Sequence, residues 1–270
     1  LKGADNLDIK GIAADSRKVT EGSLFVAVKG TATDGHDFIP VAIGKGAIAV
    51  VCEMLPDTTV GNVTYIVVPD SAEALGKLAS AWYEFPSDNL IVVGVTGTNG
   101  KTTTKELLAA VLSTKYNLLY TEGNLNNQIG VPLTLLRLNH QHEMAVIEMG
   151  ASHPGDIKEL VEIASPNFGL ITNVGQAHLE GFGSFEGVIK TKGELYDYIR
   201  QTKGKIFIKK ENEYLQSIAR GIEQITYGAD ENSFASGSIV SSSPFLVFNW
   251  KQQGKIHTVE THLIGGYNVD

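Results

Sequence analysis

Residues Val93 to Leu108 read VGVTGTNGKTTTKELL, and the order of residue types in this stretch sets the fold. Small and β-branched apolar residues lead into Gly97-Thr98-Asn99-Gly100-Lys101-Thr102, after which apolar positions recur at helical spacing. Strand, glycine-rich turn and helix in that order make a phosphate loop. Consecutive backbone N–H groups at a helix N-terminus form a nest for oxyanions, the lysine reaches the outer phosphates, and the next threonine can set its hydroxyl on Mg²⁺. Val95 stands where the full Gly-x-x-x-x-Gly-Lys-Thr pattern has its first glycine. The loop is therefore a compact variant, and a plain strand-to-helix turn is the competing reading.

Outward from the loop, apolar strands are predicted at LIVVGVT (90–96), EMAVIEM (143–149), FGLITNV (168–174) and GKIFI (204–208). Helical patterns lie between them at 102–115, 155–164 and 184–200. Such alternation signals a mainly parallel sheet flanked by helices, with ligands beyond the carboxyl ends of its strands. From Ser233, short alternating runs broken by glycine and polar residues predict a small antiparallel extension. On the other side, GSLFVAVKG (22–30) and GAIAVVCE (46–53) read as strands and SAEALGKLASAWYEF (71–85) as a helix. Phe85 to Asn89, FPSDN, has the turn-forming composition of a linker. The expected fold class is α/β: a small N-terminal domain over residues 1–86, then a P-loop-type central domain over 87–270.

Composition narrows the functional classes. The 270 residues are 43% hydrophobic and 19% charged, which is globular. A formal net charge of -8 leaves no basic field for a nucleic acid, so an anionic ligand needs a local site. The single cysteine, Cys52, sits in an apolar run and reads as a buried small hydrophobe; with no internal disulfide possible, a reducing compartment fits. No apolar run reaches the roughly 20 residues of a membrane span, and the N-terminus lacks signal-peptide order, so a cytoplasmic monomer is expected.

Taken singly, the remaining candidates have bland alternatives. Glu148 ends a predicted strand at the rim where the loop opens, as a Mg²⁺ ligand would, or as a solvated edge carboxylate. His178 follows another predicted strand and could be a metal ligand or a loop hydrogen-bonder. Lys192 reads as a solvated helix lysine. Asn124, Asn126 and Asn127 read as turn formers, and Asp15-Ser16-Arg17 as a turn cap.

Four ordered blocks change that weighting. GVTGTNGKTTTKE, TEGNLNNQIGVPLTLL, VIEMGASHPGDIKEL and ITNVGQAHLEGFGSFEGVIKTKGELYD together resemble the central ATP-binding domain of the Mur ligases, which build the peptide of bacterial peptidoglycan. The last three look most like the branch that adds D-alanyl-D-alanine. The head, through the blocks GIAADSRKVTEGSLFVAVKGTATDGHDFIPVAIGKGAIAVV and VTYIVVPDSAEALGKLASAWYEF, looks more like the branch that adds diaminopimelate or lysine, both branches sharing its Asp-Ser-Arg and Asp-Gly-His pattern. Taken literally, the chain is a mosaic joined near residue 95, whether engineered or natural.

The resemblance implies roles. Thr98, Asn99, Gly100, Lys101, Thr102 and Thr103 would hold ATP; Thr102 and Glu148 would bind one Mg²⁺; His178 would help bind a second. Lys192 matches the lysine that these ligases carry as a carbamate, a metal ligand where an ammonium could not be one; Lys190, two residues away, points to another helix face. Asn124, Asn126 and Asn127 fall in the family's asparagine-rich loop near the nucleotide and substrate. Ser16, Arg17 and the loop from Thr31 to His36 match the region that holds the uridine diphosphate. The implied reaction is amide formation on a UDP-MurNAc-peptide through an acyl phosphate, with an amino acid or D-alanyl-D-alanine as acceptor.

Mur ligases carry a third, C-terminal domain, which these 270 residues are expected not to include. The closing LIGGYNVD resembles the end of the central domain, with Tyr267 and Asn268 matching and Asn268 a further nucleotide contact. The chain is therefore expected to bind substrate without ligating efficiently. Two other readings remain at this point. Folylpolyglutamate synthase shares the loop and modified lysine but lacks such a head, and a non-catalytic nucleotide-binding protein would show no carboxylate-dependent phosphate chemistry.

Overall fold

A computed structural model describes residues 2–30, 33–82, 90–175, 179–252 and 254–266. The head contains β1 (Gly11–Ala13), β2 (Ser23–Val26), α1 (Ile39–Gly44), β3 (Ala47–Cys52), β4 (Thr64–Val67) and α2 (Ser71–Trp82). Its four strands pair in parallel in sequence order. Parallel strands covered on both faces read as unbroken apolar runs, and AIAVVC of β3 is such a run. Phe25, Val50, Cys52 and Tyr65 pack with Ile39 and Ala42 on one face; Leu24, Val26, Ala49 and Val51 pack with Leu75 of α2 on the other.

The larger sheet begins with β5 (Ile91–Thr96), which passes through the phosphate-loop turn into α3 (Lys101–Leu112). Then come β6 (Leu118–Tyr120), α4 (Gly130–Leu135), β7 (Met144–Glu148), α5 (Asp156–Ala164) and β8 (Phe168–Ile171). The short α6 (Leu179–Phe182) precedes α7 (Phe185–Gln201), β9 (Lys205–Lys209), α8 (Glu213–Ile218) and β10 (Glu223–Gly228). The last strands are β11 (Ala235–Ser241), β12 (Val247–Gln252) and β13 (Lys255–Glu260). The strand order is β13-β12-β11-β10-β9-β8-β5-β7-β6. Every pairing from β6 to β11 is parallel, and β12 and β13 add antiparallel at the end. The α/β class, the parallel order and the antiparallel extension are those read from the sequence.

Topology locates the site. The chain leaves β5 for the edge strand β6, returns to β7 beside β5, then crosses to β8 on the other side of β5. Ligands in such sheets bind where the winding changes direction, at the carboxyl ends. The two sheets meet through α2: Leu75 is buried in a cluster against which Ile129 and Leu136 also pack. Gly76 leaves space for Ile163 of α5, whose Cδ1 would lie 2.6 Å from any Cβ added there. The linker read at Phe85 to Asn89 lies outside the described residues. Among the described residues no helix is long and apolar enough to cross a membrane.

Candidate nucleotide and metal site

The turn after β5 depends on its glycines. Gly97 has φ 143° and Gly100, the residue before α3, has φ 80°, both in the region that side chains disfavour. A Cβ on Gly97 would also stand 2.0 Å from the Thr172 hydroxyl. The segment following β8 braces the turn from the other side. Thr98 N donates to Asn173 O (3.0 Å), Asn99 N to Asn173 Oδ1 (3.0 Å), Thr172 Oγ1 to Asn99 O (2.6 Å) and Gly175 N to Thr98 Oγ1 (2.9 Å). This bracing is a part of the site that no motif in the sequence singled out. The first N–H groups of α3 have no partner within the helix, and the helix dipole is positive at that end, so the turn suits an oxyanion. Lys101 folds back over it, donating to Gly97 O (3.0 Å) and Thr98 O (3.1 Å). Burial holds its ammonium below the usual lysine range, and Glu148 partly offsets this.

Glu148, the last residue of β7, is 1% exposed. Its Oε1 accepts from Thr102 Oγ1 (3.1 Å) and Asn126 Nδ2 (2.8 Å), and its backbone N–H donates to Thr121 Oγ1 (3.0 Å). Its Oε2 is buried with no hydrogen-bond partner. An orphaned carboxylate oxygen in the interior is costly, and beside a threonine hydroxyl it fits a divalent cation. Among the described residues no three His, Cys, Asp or Glu side chains converge as a ready-made metal cage. Mg²⁺ needs none, since it commonly takes one or two protein oxygens and fills the rest with phosphate and water.

The third component comes from α7. Ser184 caps this helix, accepting from Gly187 N (3.1 Å). Its inner face buries Lys192 to 3% exposure, while Lys190 is exposed. Burial first, and then the charge of Lys101, push the Lys192 amine down to about 8, with Asp156 and Glu194 acting against the shift. Its Nζ lies 5.2 Å from the centre of the Phe182 ring. Lys192, Phe182, Asn126, Gly97, Thr98 and Lys101 all line one cavity of about 310 Å³. Asp156, which also lines it, accepts from Ser152 N (2.7 Å), His153 N (2.9 Å) and Gln128 Nε2 (3.1 Å), while Glu194 of α7 accepts from Gly155 N (2.8 Å) and Lys158 N (2.9 Å). The two carboxylates hold the start of α5 in place.

The sequence candidates divide accordingly. Thr98, Lys101, Thr102, Glu148 and Lys192 come together, whereas Asn99, Gly100 and Thr103 shape the loop and the first turn of α3. Of the asparagines, Asn126 reaches Glu148; Asn127 accepts from Ile129 N (3.2 Å) and Gly130 N (2.9 Å) in the turn before α4, and Asn124 is exposed. In the head, Asp15 caps the turn at Ser16–Lys18 and grips the Arg17 guanidinium (2.8 Å), which holds the Asp15 carboxyl below its usual range. Ser16 is buried. His36 is engaged at both ring nitrogens, with Nδ1 2.6 Å from Asp34 Oδ1 and Nε2 accepting from Glu53 N (2.8 Å). It therefore ties its loop to the end of β3. Thr31, His178, Tyr267 and Asn268 lie outside the described residues.

The profile of the Mur ligase middle domain matches residues 95–270. That of the Mur ligase family catalytic domain matches residues 8–83. The chain belongs to the Mur ligase family. Among Mur ligases, the UDP-N-acetylmuramoyl-tripeptide--D-alanyl-D-alanine ligase of Escherichia coli (strain K12) is 41% identical over 275 residues, covering 100% of this chain and 59% of the relative. The UDP-N-acetylmuramoyl-L-alanyl-D-glutamate--2,6-diaminopimelate ligase of Parabacteroides distasonis is 44% identical over 213 residues, 73% of this chain and 43% of that one. The crystal structure of MurF ligase from Thermotoga maritima in complex with ADP superposes with TM-score 0.80 at 34% identity, covering 93% of this chain and 57% of that chain. This Mur ligase chain thus spans under two thirds of the length of each of these three relatives. The E. coli match runs through the head as well as the middle, so a single branch accounts for the whole length without a junction near residue 95.

Proposed function

We propose that this chain holds ATP and a UDP-MurNAc-tripeptide for an ATP-dependent ligase that attaches D-alanyl-D-alanine. The observation that carries the proposal is the convergence of the Gly97–Thr102 loop, the orphaned Glu148 oxygen and the buried Lys192 amine at one end of the sheet. The relatives' names supply the substrate class. In this reading the loop N–H groups and Lys101 hold the outer phosphates, Lys101 exchanging its two carbonyl acceptors for phosphate oxygens. Thr102 and Glu148 would hold a Mg²⁺ ion, which when bound neutralises phosphate charge, with His178 assigned to a second.

The reaction is phosphoryl transfer followed by acyl transfer. The terminal carboxylate of the precursor attacks the γ-phosphorus and ADP leaves; the acceptor amine then attacks the acyl phosphate carbonyl and inorganic phosphate leaves. The residues named contribute mainly by positioning and charge. Lys192, buried and with a depressed pKa, presents a neutral amine more readily than an exposed lysine does, which favours its addition to CO₂ as a carbamate. Ser16, Arg17, Thr31 and the His36 loop are assigned to the uridine diphosphate, with Asn124 and Asn127 toward the peptide and Asn268 toward the nucleotide. A nucleotide-linked precursor and ATP imply a cytoplasmic setting, and the protein would work as a monomer.

The Parabacteroides relative favours a second acceptor class, diaminopimelate on a dipeptide precursor. Calorimetric titration with UDP-MurNAc-tripeptide and with UDP-MurNAc-dipeptide, each with Mg²⁺ and a non-hydrolysable ATP analogue, separates the two. Tighter capture of the tripeptide is expected. Preference for the dipeptide would transfer the proposal to the other branch, and binding of neither would refute the substrate assignment.

A further inference from the structure

Lys105, on the second turn of α3, has no role in the reaction above, yet its side chain is completely buried. A buried ammonium is costly unless its donors are satisfied. This one has three acceptors for its three donors: Glu106 Oε1 (2.5 Å), Thr121 O (2.8 Å) and Gly123 O (3.4 Å). Two of those acceptors belong to the turn that leaves β6. A second cation grips the same turn: Arg137 donates to Tyr120 O (3.4 Å) and pairs with Glu122 (2.7 Å).

The turn leads to Glu148 by two short routes. Thr121, whose carbonyl Lys105 holds, receives the Glu148 backbone N–H on its hydroxyl (3.0 Å). Three residues past Gly123, Asn126 donates to Glu148 Oε1 (2.8 Å) while its carbonyl accepts from Gly150 N (2.7 Å). Thr102, the other donor to that carboxylate oxygen, sits on α3 one turn before Lys105. A single helix thus reaches the carboxylate directly through Thr102 and indirectly through Lys105.

We propose that Lys105 is a positioning residue for the metal-holding carboxylate, its ammonium fixing the Thr121–Gly123 turn so that Thr121 and Asn126 aim Glu148. The inference rests on the reading of Glu148 as a Mg²⁺ ligand. A lysine that merely fills space would act on the fold alone; a positioning lysine acts on the Mg²⁺-dependent part of nucleotide binding. Partners of metal ligands typically change metal affinity about 10- to 100-fold when removed.

The test is ADP binding to the full chain, measured with Mg²⁺ and again in chelator, for wild type, Lys105→Met and Lys105→Arg. The expected result is a loss of about tenfold or more in Mg²⁺-supported affinity for Lys105→Met, unchanged affinity in chelator, and partial recovery in Lys105→Arg. Unchanged Mg²⁺-supported affinity overturns the proposal, as does an equal loss with and without Mg²⁺. Should Lys105→Met fail to fold, Thr121→Val breaks the same route one link later with Lys105 retained. Loss of Mg²⁺-supported binding there supports the proposal, and wild-type behaviour overturns it. If wild type binds ADP with no Mg²⁺ dependence, the Glu148 assignment itself fails and this inference falls with it.

Discussion

Lys192 and Gly97 show how far single positions constrain the site. The Lys192 amine is held near 8 against an ordinary 10.5 by burial and by Lys101. Below the lower value the folded and unfolded chains both carry the proton, and the folded state bears the full cost of an interior ammonium. Between the two values the unfolded chain binds more protons, so stability from this group rises with pH. In CO₂-free buffer, wild type should therefore gain melting temperature relative to Lys192→Met from about pH 7.5 to about pH 9.5; a constant difference across that range would refute the assignment. In bicarbonate with ¹³C-labelled CO₂, a carbamate resonance is expected for wild type and not for Lys192→Met. Gly97→Ala sets a Cβ against Thr172 in a backbone region closed to alanine. It should abolish nucleotide binding and cost about 1–3 kcal/mol of stability, measurable by ADP titration and denaturant unfolding.

At the scale of elements, the site is three strand ends and the helices and loops that follow them. Most of this was legible from the sequence, because β5, β7, β8 and β9 are apolar runs and α3, α5 and α7 are long enough to show their period. The three residues of β6 are too few to show a pattern, and α4 carries Pro132 within a six-residue span, so neither was read. The same limit left the three asparagines of one loop unranked. Asn124, Asn126 and Asn127 are equivalent as turn formers, and only the fold of the turn after β6 decides that Asn126 faces Glu148. The bracing by Thr172 and Asn173 was invisible for a related reason, since it joins segments some 75 positions apart. Asn126→Ala removes one of two donors to a buried carboxylate oxygen and should cost about 1–3 kcal/mol. Much of that cost should return when Mg²⁺ and ADP are added, a comparison that thermal unfolding with and without ligand makes directly.

At the scale of the molecule, α2 belongs to the head by sequence and to both sheets by packing. Leu75 is fully buried between β2 and β3, in a cluster to which Ile129 and Leu136 of the central region contribute. Leu75→Ala should cost about 2–5 kcal/mol, and the loss should be seen by probes in either half, because the cluster is common property; an effect confined to the head would contradict this. Cys52, at the end of β3, is fully buried in the opposite face of the head sheet, and burial raises its thiol pKa. As the chain's single sulfhydryl, it is a natural clock. A thiol reagent can mark it only during the moments when the head opens, so the rate of labelling times every opening that reaches the head, with no probe introduced.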